Sequence, residues 1–332
     1  MILAGDIGGT KTTLALYREQ GALLELERLE RFVSAEYDSL IEVIDRFFSG
    51  ESVEITAGCF GIAGPVVEGR CRATNLPWEI GVSELRRHLA TADIRLINDL
   101  EATAYGMLFL DEEAFVTLNP AGRAVEGNRA VIAAGTGLGE AILYYDGRRY
   151  HPAASEGGHS DFAPVTAQQD ALLVWLRKRY PDHVSYERVL SGPGIYTLYE
   201  FLLESGFAPE PHQMKALSPE EDRSAAISRF ALEEQEPLCS ETMRLFTEIY
   251  AAEAGNLALK TLSLGGLYIG GGIAPKILPF MNSAHFMANF SRKGRFGKLL
   301  SSLEVKLSRD PDTALLGAAY FALQDERPES GA

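Results

Sequence analysis

Two short segments rich in glycine and threonine have the composition of phosphate-binding turns. The first glycine turn is Asp6-Ile7-Gly8-Gly9-Thr10-Lys11, and the second glycine turn is Gly135-Thr136-Gly137-Leu138-Gly139. Glycine takes positive φ at low steric cost, and without side chains successive backbone N–H groups can face one anion. The hydroxyls of Thr10 and Thr136 add further donors. Because each turn lies between two apolar, strand-like runs, the pair predicts a nucleotide held from both halves of the chain.

An acidic residue opens the first glycine turn, which is unusual beside a polyanion. Asp6 fits there if Mg²⁺ lies between the carboxylate and the phosphates, since this ion takes oxygen ligands and usually keeps several waters. Taken singly, either turn could be an ordinary β-hairpin. Neither is a Walker A loop, because no Gly-Lys-Ser/Thr sequence closes it.

A polar pair follows the apolar run that ends at Ile97. Asn98 and Asp99 therefore come at the carboxyl end of a predicted strand, where open α/β sheets bind ligands. An aspartate in this position can accept the proton of a hydroxyl that attacks a γ-phosphate. The alternative is an N-cap for the helix predicted over residues 100–108, because Asn and Asp are both strong caps.

Three later segments carry further polar groups or glycines. Glu156 and His159 flank Gly157-Gly158 and could bind sugar hydroxyls, although a plain glycine loop has the same composition. Farther along, Ser191-Gly192 could face a phosphate or ribose, and Gly270-Gly271-Gly272 follows an apolar run. Glycine there would let the backbone approach a flat ligand such as adenine, or simply form a structural turn.

Composition limits the classes of protein and partner. The 332 residues are 46% hydrophobic, enough for a substantial core and for two domains or lobes, and the net charge of −15 disfavours a nucleic-acid partner. Three cysteines without CxxC spacing, Cys59, Cys71 and Cys239, favour reduced thiols over disulfides or zinc. The N-terminus lacks the pattern of a signal peptide, and no long apolar run predicts a membrane span. We therefore expect a cytoplasmic protein.

The elements that must position these residues alternate between strand and helix in the first third. Strands are predicted over 2–4, 12–17, 23–32, 55–62 and 94–97, with helices over 39–48, 82–90 (capped by Ser83) and 100–108. The second half is mainly helical, over 167–180, 194–204, 219–232 and 240–262. A strand followed by a glycine turn over 267–273, a helix at 315–323 and a polar tail at 324–332 follow. This pattern predicts a sheet with helices on its faces.

Eight motifs occur in an order that resembles the bacterial glucokinase family of the hexokinase–actin ATPase superfold. The resemblance covers residues 2 to 322, and its motifs are Asp6-Ile7-Gly8-Gly9-Thr10, Gly61-Ile62-Ala63-Gly64-Pro65, Ala73-Thr74-Asn75-Leu76-Pro77-Trp78, Ile97-Asn98-Asp99, Ala134-Gly135-Thr136-Gly137-Leu138-Gly139, Glu156-Gly157-Gly158-His159, Leu190-Ser191-Gly192-Pro193-Gly194 and Gly270-Gly271-Gly272.

The resemblance implies an α/β protein with a two-lobed RNase H-like fold. A small α/β lobe would comprise residues 1–108 and 308–323, and a larger α+β lobe would comprise residues 109–307, with a cleft between them. The implied activity is ATP-dependent phosphorylation of glucose to glucose 6-phosphate. Alternatives are a kinase for another hexose, such as mannose or fructose, and a non-catalytic sugar sensor. A homodimer is also implied, with no nucleic-acid or membrane partner.

The resemblance also implies a role for each matching residue. Asp99 would be the catalytic base, and the sugar would be bound by Asn75, Asn98, Asp99, Glu156, His159 and Glu187. ATP would be bound by Gly5, Asp6, Ile7, Gly8, Gly9, Thr10, Gly135, Thr136, Gly137, Ser191, Gly192, Gly271 and Gly272. Asp6 would reach Mg²⁺ through water.

Two positions depart from the family pattern. Lys11 stands where the family usually has Asn, and lysine there is typical of the related repressor/open-reading-frame/kinase (ROK) group. That group usually has a cysteine-rich zinc motif soon after its Glu-x-Gly-His segment, whereas Ser160-Asp161-Phe162-Ala163-Pro164 follows His159 here. Glu140 replaces a small apolar residue after the second glycine turn, and the sequence offers no physical reason for this charge.

Overall fold

The computed structural model describes residues 1–21, 23–73, 76–282 and 284–324. Its strands in chain order are β1 Ile2–Ile7, β2 Lys11–Gln20, β3 Leu23–Val33, β4 Ala57–Ile62, β5 Val66–Val67, β6 Arg70–Arg72, β7 Glu79–Gly81, β8 Ile94–Asn98, β9 Phe115–Thr117, β10 Arg129–Ala134, β11 Leu138–Tyr145, β12 Tyr150–Ser155, β13 Leu267–Gly270 and β14 Val305–Ser308.

Helices in the first third of the chain have seven to nine residues, whereas the later ones range from four residues to 25. They are α1 Leu40–Phe48, α2 Val82–His88, α3 Asp99–Gly106, α4 Ala167–Arg179, α5 Gly192–Glu204, α6 His212–Lys215, α7 Arg223–Arg229, α8 Pro237–Thr261, α9 Leu278–Met281, α10 Ala284–Phe290, α11 Gly297–Ser301 and α12 Thr313–Ala322. Single 3₁₀ turns at Gly157–His159 and Tyr186–Arg188 become important below.

The chain divides into two compact units. The first unit contains residues 1–112, 150–154 and 310–332, and the second contains residues 113–149 and 155–309. The lobe boundaries expected from the sequence, at 108/109 and 307/308, stay a prediction.

The first unit is built on a five-stranded sheet in the order β3-β2-β1-β4-β8. The strands β1, β4 and β8 are parallel, so their carboxyl ends lie at one edge. One apolar cluster packs α1 and α2 against the sheet, and another includes residues of α3 and α12. Gly106 and Gly317 let these two helices approach closely, since a Cβ on either would overlap backbone atoms of the other helix.

The second unit has a sheet with the strand order β11-β10-β13-β14-β9. Its core lies around α8, whose 25 residues include a long buried series from Leu245 to Gly255. Glu248 and Glu253 are charged members of that series, so α8 brings ionisable groups into the core of the unit.

The two sheets share a pattern of strand directions. In the first, β1 is antiparallel to β2 and parallel to β4, and β4 is parallel to β8. In the second, β10 is antiparallel to β11 and parallel to β13, and β13 is parallel to β14. Each glycine turn connects the antiparallel pair of its own sheet. The same local construction therefore occurs twice along the chain.

Most of the predicted elements form, with shifted ends. The helix predicted at 219–232 is shorter: α7 spans Arg223–Arg229 and continues into a π turn at Phe230–Glu234. The predicted Ser83 cap of α2 is wrong, because the helix begins one residue earlier and its N-cap is Gly81. A serine inside the first turn cannot serve as the cap.

Candidate active site

Asp99 is held at the carboxyl end of β8 by a capping box. The Asn98 side chain accepts a hydrogen bond from the Leu100 N–H at 2.8 Å, and the Glu101 carboxylate accepts one from the Asn98 N–H at 2.9 Å. Asn98 also donates from Nδ2 to the Gly64 carbonyl at 3.3 Å. The cap alternative for Asn98 is therefore confirmed. The cap places Asp99 in the first turn of α3, at the edge of the sheet.

Asp6 and Asp99 lie near each other in the first unit, separated by β4. Asp6 pairs in register with Gly61 of β4, and Gly61 pairs with Ile97 of β8. Gly61 is required for this packing, because a Cβ there would lie 2.9 Å from the Ala102 Cβ and 3.6 Å from the Asp99 Cα. Glycine at this position therefore lets α3, which carries Asp99, pack closely against β4.

The pKa of Asp6 is raised to about 6, first by burial and then by the negative charge of Asp99. Lys11 acts in the opposite direction, and Asp312 adds to the increase. Asp6 is therefore mostly ionised at pH 7 and becomes neutral in mildly acidic solution. A carboxylate with this environment can interact with a cation through water.

A backbone hydrogen bond closes the first glycine turn, and two hydrogen bonds from Ser34 hold it in place. Gly8 donates its N–H to the Lys11 carbonyl at 3.0 Å. Ser34 donates from its backbone N–H to the Thr10 carbonyl at 3.1 Å and from its hydroxyl to the Gly8 carbonyl at 2.8 Å. Since the Gly8 N–H is used in the turn, Gly9 and Thr10 supply the candidate phosphate donors.

Gly5 and Ile7 are both buried in β1. A Cβ on Gly5 would lie 2.5 Å from Phe60 Cδ1, and the Ile7 side chain belongs to the apolar cluster of this face. These two residues therefore support the turn by packing, and only their backbone could meet a ligand.

In the second glycine turn, Glu187 occupies the space beside a glycine. Gly135 donates its N–H to the Gly137 carbonyl at 2.8 Å, which closes the turn. The Glu187 carboxylate accepts a hydrogen bond from the Leu138 N–H at 3.0 Å. A Cβ on Gly137 would lie 2.5 Å from Glu187 Oε2, so glycine is needed for this approach.

The expected positive φ in the glycine turns is wrong. Gly8, Gly135 and Gly137 all lie outside the left-handed region. Glycine is instead used for close approach, most clearly beside Glu187. The positive φ occurs at Gly271, at +81°, where a Cβ would overlap backbone atoms of Ala134.

The predicted sugar-binding residues of the second unit lie on two neighbouring 3₁₀ turns. Glu156 immediately precedes the turn Gly157–His159, and Glu187 lies in the turn Tyr186–Arg188. The turns are joined by a hydrogen bond from the Tyr186 N–H to the Ser160 carbonyl at 3.0 Å. Glu156 and His159 are exposed, whereas Glu187 is half-buried. The structure therefore brings all three side chains into one region, beside the second glycine turn.

Ser191 and Gly192 also lie at the second glycine turn, but their polar groups are engaged. Gly192 donates its N–H to the Gly135 carbonyl at 2.8 Å. The buried Ser191 hydroxyl donates to the Glu187 carbonyl at 2.8 Å and accepts from the Gly194 N–H at 3.1 Å, as the N-cap of α5. Both residues thus support the turn that a phosphate would meet.

Gly271 and Gly272 follow β13, next to the strand that precedes the second glycine turn. The parallel register pairs Gly270 of β13 with Ala133 of β10. The Ile273 N–H donates to the Ala134 carbonyl at 3.3 Å. The candidate adenosine-binding and phosphate-binding turns therefore lie at the same edge of the sheet in the second unit.

Glu140 faces the interior and is buried within β11. Its pKa is raised to about 8, first by burial and then by the charge of Glu253. Gly157 packs directly on Glu140, since a Cβ there would overlap the carboxyl oxygen Oε2. The structure thus accounts for the acid that the sequence left unexplained.

Sequence reasoning missed the residues that hold the candidate site in place. Ser34, Glu101 and Glu253 act through contacts with distant segments or at a helix end. Only the Glu101 capping box has a recognisable sequence signature, an acid three residues after a cap.

Asn75, a predicted sugar ligand, lies outside the described residues. Within the described ranges, no group of three or more His, Cys, Asp or Glu side chains could hold a metal ion.

Sequence comparisons decide the family. A family model described as Glucokinase matches residues 3–325. A glucokinase of Synechocystis sp. is 40% identical over 346 residues, covering 97% of this chain and 98% of that protein. A glucokinase of Trichormus variabilis is 39% identical over 338 residues, with the same coverage. The chain belongs to the glucokinase family. The resemblance stated from the motifs and the predicted enzyme class are confirmed.

Solved structures support the same assignment. The crystal structure of a glucokinase from an Antarctic psychrotroph is 34% identical, with a TM-score of 0.84, and the match covers 97% of this chain and 98% of that one. A ROK family glucokinase from Streptomyces griseus, solved in complex with glucose and AMPPNP, shares the fold at 19% identity and a TM-score of 0.67, over 98% and 99% of the two chains. The predicted fold class, an actin-like ATPase fold, is confirmed. In the part of the chain that the structure describes, no helix has the length and hydrophobicity needed to span a membrane.

Proposed function

We propose that the protein transfers the γ-phosphoryl group of ATP to the 6-hydroxyl of glucose, with Asp99 as the catalytic base. The observation that carries the assignment of the base is the capping box of α3, which holds Asp99 at the carboxyl edge of the sheet. Asp99 takes the proton of the hydroxyl as its oxygen forms a bond to the γ-phosphorus. The bond from that phosphorus to the β–γ bridging oxygen breaks, and ADP leaves.

The remaining side chains bind and orient the two substrates. Glu156, His159 and Glu187 bind the hydroxyls of the sugar, supported by the bond between their two turns. Backbone N–H groups of Gly9, Thr10 and Thr136 donate to phosphate oxygens, and Gly271 and Gly272 border the adenosine. Preorganised donors of this kind stabilise the charge that develops during phosphoryl transfer without reorganisation.

Magnesium fits the oxygen chemistry of Asp6 and the neighbouring Asp99. Asp6 would hold the ion through water, and the bound ion would neutralise charge on the ATP phosphates. The half-burial of Asp6 and its pKa of about 6 support this role, because the carboxylate is ionised at neutral pH.

A panel of substrates tests the proposal. The purified protein is assayed by coupled detection of ADP with glucose, mannose and fructose, and glucose is then assayed with ATP, ADP and polyphosphate as donors. We expect the highest kcat/KM for glucose with ATP. A higher kcat/KM for another hexose would support the alternative, a kinase for that sugar. If no combination of hexose and phosphoryl donor gave turnover, the result would support the non-catalytic sugar sensor.

We also propose that the protein acts as a homodimer in the cytoplasm, as the resemblance to bacterial glucokinases implies. Light scattering coupled to size-exclusion chromatography measures the molar mass in solution. A mass of one chain at assay concentrations would refute the dimer.

A further inference from the structure

The carboxyl groups of Glu140 and Glu253 form a buried pair inside the second unit. Glu140 is 2% exposed and Glu253 is 0% exposed, and they lie close enough for the charge of Glu253 to raise the pKa of Glu140. Two carboxyl groups can share a hydrogen bond only when one of them carries a proton, since ionised carboxylates have acceptors alone. Two adjacent ionised carboxylates in a buried site would repel each other, so the pair holds one proton.

The surrounding charges place the negative charge on Glu253. Lys260 Nζ contacts Glu253 Oε1 at 3.1 Å, and Asn256 Nδ2 donates to Glu253 Oε2 at 2.7 Å. The Tyr186 hydroxyl accepts a hydrogen bond from the same Asn256 Nδ2 at 3.1 Å, and the charge of Glu253 acts on the pKa of both Tyr186 and Lys293. Within the described residues, no cation forms a salt bridge with Glu140, and its Oε1 atom has no hydrogen-bond partner.

The remaining titratable neighbour of Glu140 is also on α8. The charge of Glu140 contributes to the raised pKa of Tyr250. The Tyr250 hydroxyl, however, donates to the Ile132 carbonyl at 3.3 Å and accepts from the Ala134 N–H at 3.2 Å. The pKa of Tyr250 is raised by burial, so the tyrosine stays neutral wherever Glu140 titrates. Glu140 is thus the group that holds the proton at neutral pH. Its pKa of about 8 agrees with this assignment.

Glu140 contacts the turn that carries two of the sugar-binding residues. The Ser155 hydroxyl donates to the Glu140 carbonyl at 2.9 Å and accepts from the Gly157 N–H at 3.2 Å. The Glu140 carboxyl group lies directly against Gly157. Because Glu156 and His159 flank the two glycines, a movement of the Glu140 side chain is transmitted to both.

We propose that Glu140 is a positioning residue for sugar binding, which supports the Glu156–His159 turn as long as it shares a proton with Glu253. Loss of that proton leaves two negative charges in a buried site, and their repulsion displaces the turn that rests on Glu140. The affinity for the sugar then falls in alkaline solution. This inference rests on the proposed sugar kinase function.

The test is the pH dependence of KM for glucose between pH 6 and pH 10, compared in the wild type and in Glu140→Gln. The amide of the variant can donate to Glu253 as the protonated acid does, but it cannot lose a proton. Above pH 8 we expect the wild-type KM to rise by up to about tenfold per pH unit, the limit for one proton, with a smaller change in kcat. In Glu140→Gln the KM should stay flat. Glu126→Gln, at an exposed position of the same unit, should follow the wild type.

Two results would overturn the inference: a wild-type KM that is flat through pH 9.5, or a Glu140→Gln profile that matches the wild type. If Glu140→Gln does not fold, Glu253→Gln gives the same test from the other partner, since its amide can donate to the Glu140 carboxylate.

An infrared readout is independent of activity. A protonated carboxyl band should be present in the wild type at pH 7 and lost above pH 8, and its absence at pH 7 would also refute the shared proton. If the band is found but no hexose is phosphorylated, the proposed function fails while the buried pair stands.

Discussion

Each unit contains a pair of acids, and the two pairs differ in what separates them. In the first unit β4 lies between Asp6 and Asp99, and Gly61 lets α3 pack closely against β4. In the second unit Glu140 and Glu253 are both buried in the core, and the charge of Glu253 acts directly on Glu140. The pKa is raised in both, to about 6 for Asp6 and about 8 for Glu140, with burial as the largest cause.

The difference shows how the environment of a carboxyl group sets its protonation state, and with it the function of the side chain. At neutral pH Asp6 is mostly ionised and can act on a cation, whereas Glu140 is mostly protonated and can act as a hydrogen-bond donor. The first pair lies at the carboxyl ends of the parallel strands β1 and β8, where open α/β sheets bind ligands. The second pair lies beneath a turn. Substitutions in the two pairs should therefore have different kinetic signatures.

Removing the base of the first pair should have the largest effect. Asp99→Asn keeps the size of the side chain but cannot accept the proton of the sugar hydroxyl. We expect kcat to fall by about 10²–10⁴-fold, the usual contribution of a general base, with sugar binding nearly unchanged. Coupled ADP release measures kcat, and isothermal titration measures the binding of glucose.

A matched control comes from the other end of β8. Asp93→Asn changes an exposed acid of the same unit, which pairs with Arg95, and should leave kcat within about twofold of the wild type, as expected for a surface ion pair. If Asp99→Asn retained near wild-type turnover, Asp99 would not be the base.

Replacing the other acid of the first pair should change the response to magnesium and to pH. In Asp6→Asn we expect the half-saturating Mg²⁺ concentration to rise by about 10–100-fold, the usual cost of losing a group that orients the ligands of a metal. In the wild type, activity should fall as the pH drops through about 6, because Asp6 becomes protonated. An unchanged Mg²⁺ requirement in Asp6→Asn would remove Asp6 from the metal site.

The Asp99→Asn variant also allows a second measurement on the same pair, that of the pKa of Asp6. Its negative charge is the second cause of the raised pKa of Asp6. In Asp99→Asn the pKa of Asp6 should therefore move toward its ordinary value, which carbon-detected NMR of the aspartate carboxyl groups can follow. An unmoved titration would show that the two acids do not interact.

Two glycines of the second glycine turn allow a sharper comparison within one segment. Gly137→Ala places a Cβ 2.5 Å from Glu187 Oε2, so the Glu187 carboxylate must shift from the Leu138 N–H. We expect KM for glucose to rise by about tenfold, which corresponds to one charge-assisted hydrogen bond. Steady-state kinetics with glucose and ATP varied separately measure the effect.

Gly135→Ala is the matched control, because a Cβ there meets no protein atom within 4 Å. It should leave KM for glucose near the wild-type value, and any increase should be in KM for ATP, whose phosphates the turn is proposed to bind. Equal changes in KM for glucose in the two variants would contradict the link through Glu187.

Local signals in the sequence predicted much of the candidate site, whereas contacts between distant segments could not be predicted. Asn98 and Asp99 were identified because a short apolar strand ends just before them, and the same signal predicts a cap. The attachment of Ser34 to the first glycine turn depends on the pairing of β2 with β3. The proton shared by Glu140 and Glu253 depends on how α8 packs beneath β10 and β11. Neither leaves a periodic or local pattern.

The smallest expected effect is on stability and separates the two pairs by their pH ranges. An acid with a raised pKa keeps its proton in the folded state after the unfolded chain has lost it, so the free energy of unfolding falls as the pH rises between the two pKa values. For Asp6 this range extends from about 4 to about 6, and for Glu140 from about 4.5 to about 8. The limiting slope for one proton is about 1.4 kcal/mol per pH unit.

Urea unfolding at half-unit steps from pH 4 to pH 9 should therefore resolve the two contributions. Glu140→Gln should remove the slope between pH 6 and pH 8, while Asp6→Asn should leave that slope in place and reduce only the part below pH 6. Because Asp6 is ionised above pH 6 in both states, a slope between pH 6 and pH 8 that survives in Glu140→Gln would have to come from another group. In that case the shared proton would not lie on Glu140, and the two pairs would differ in burial alone.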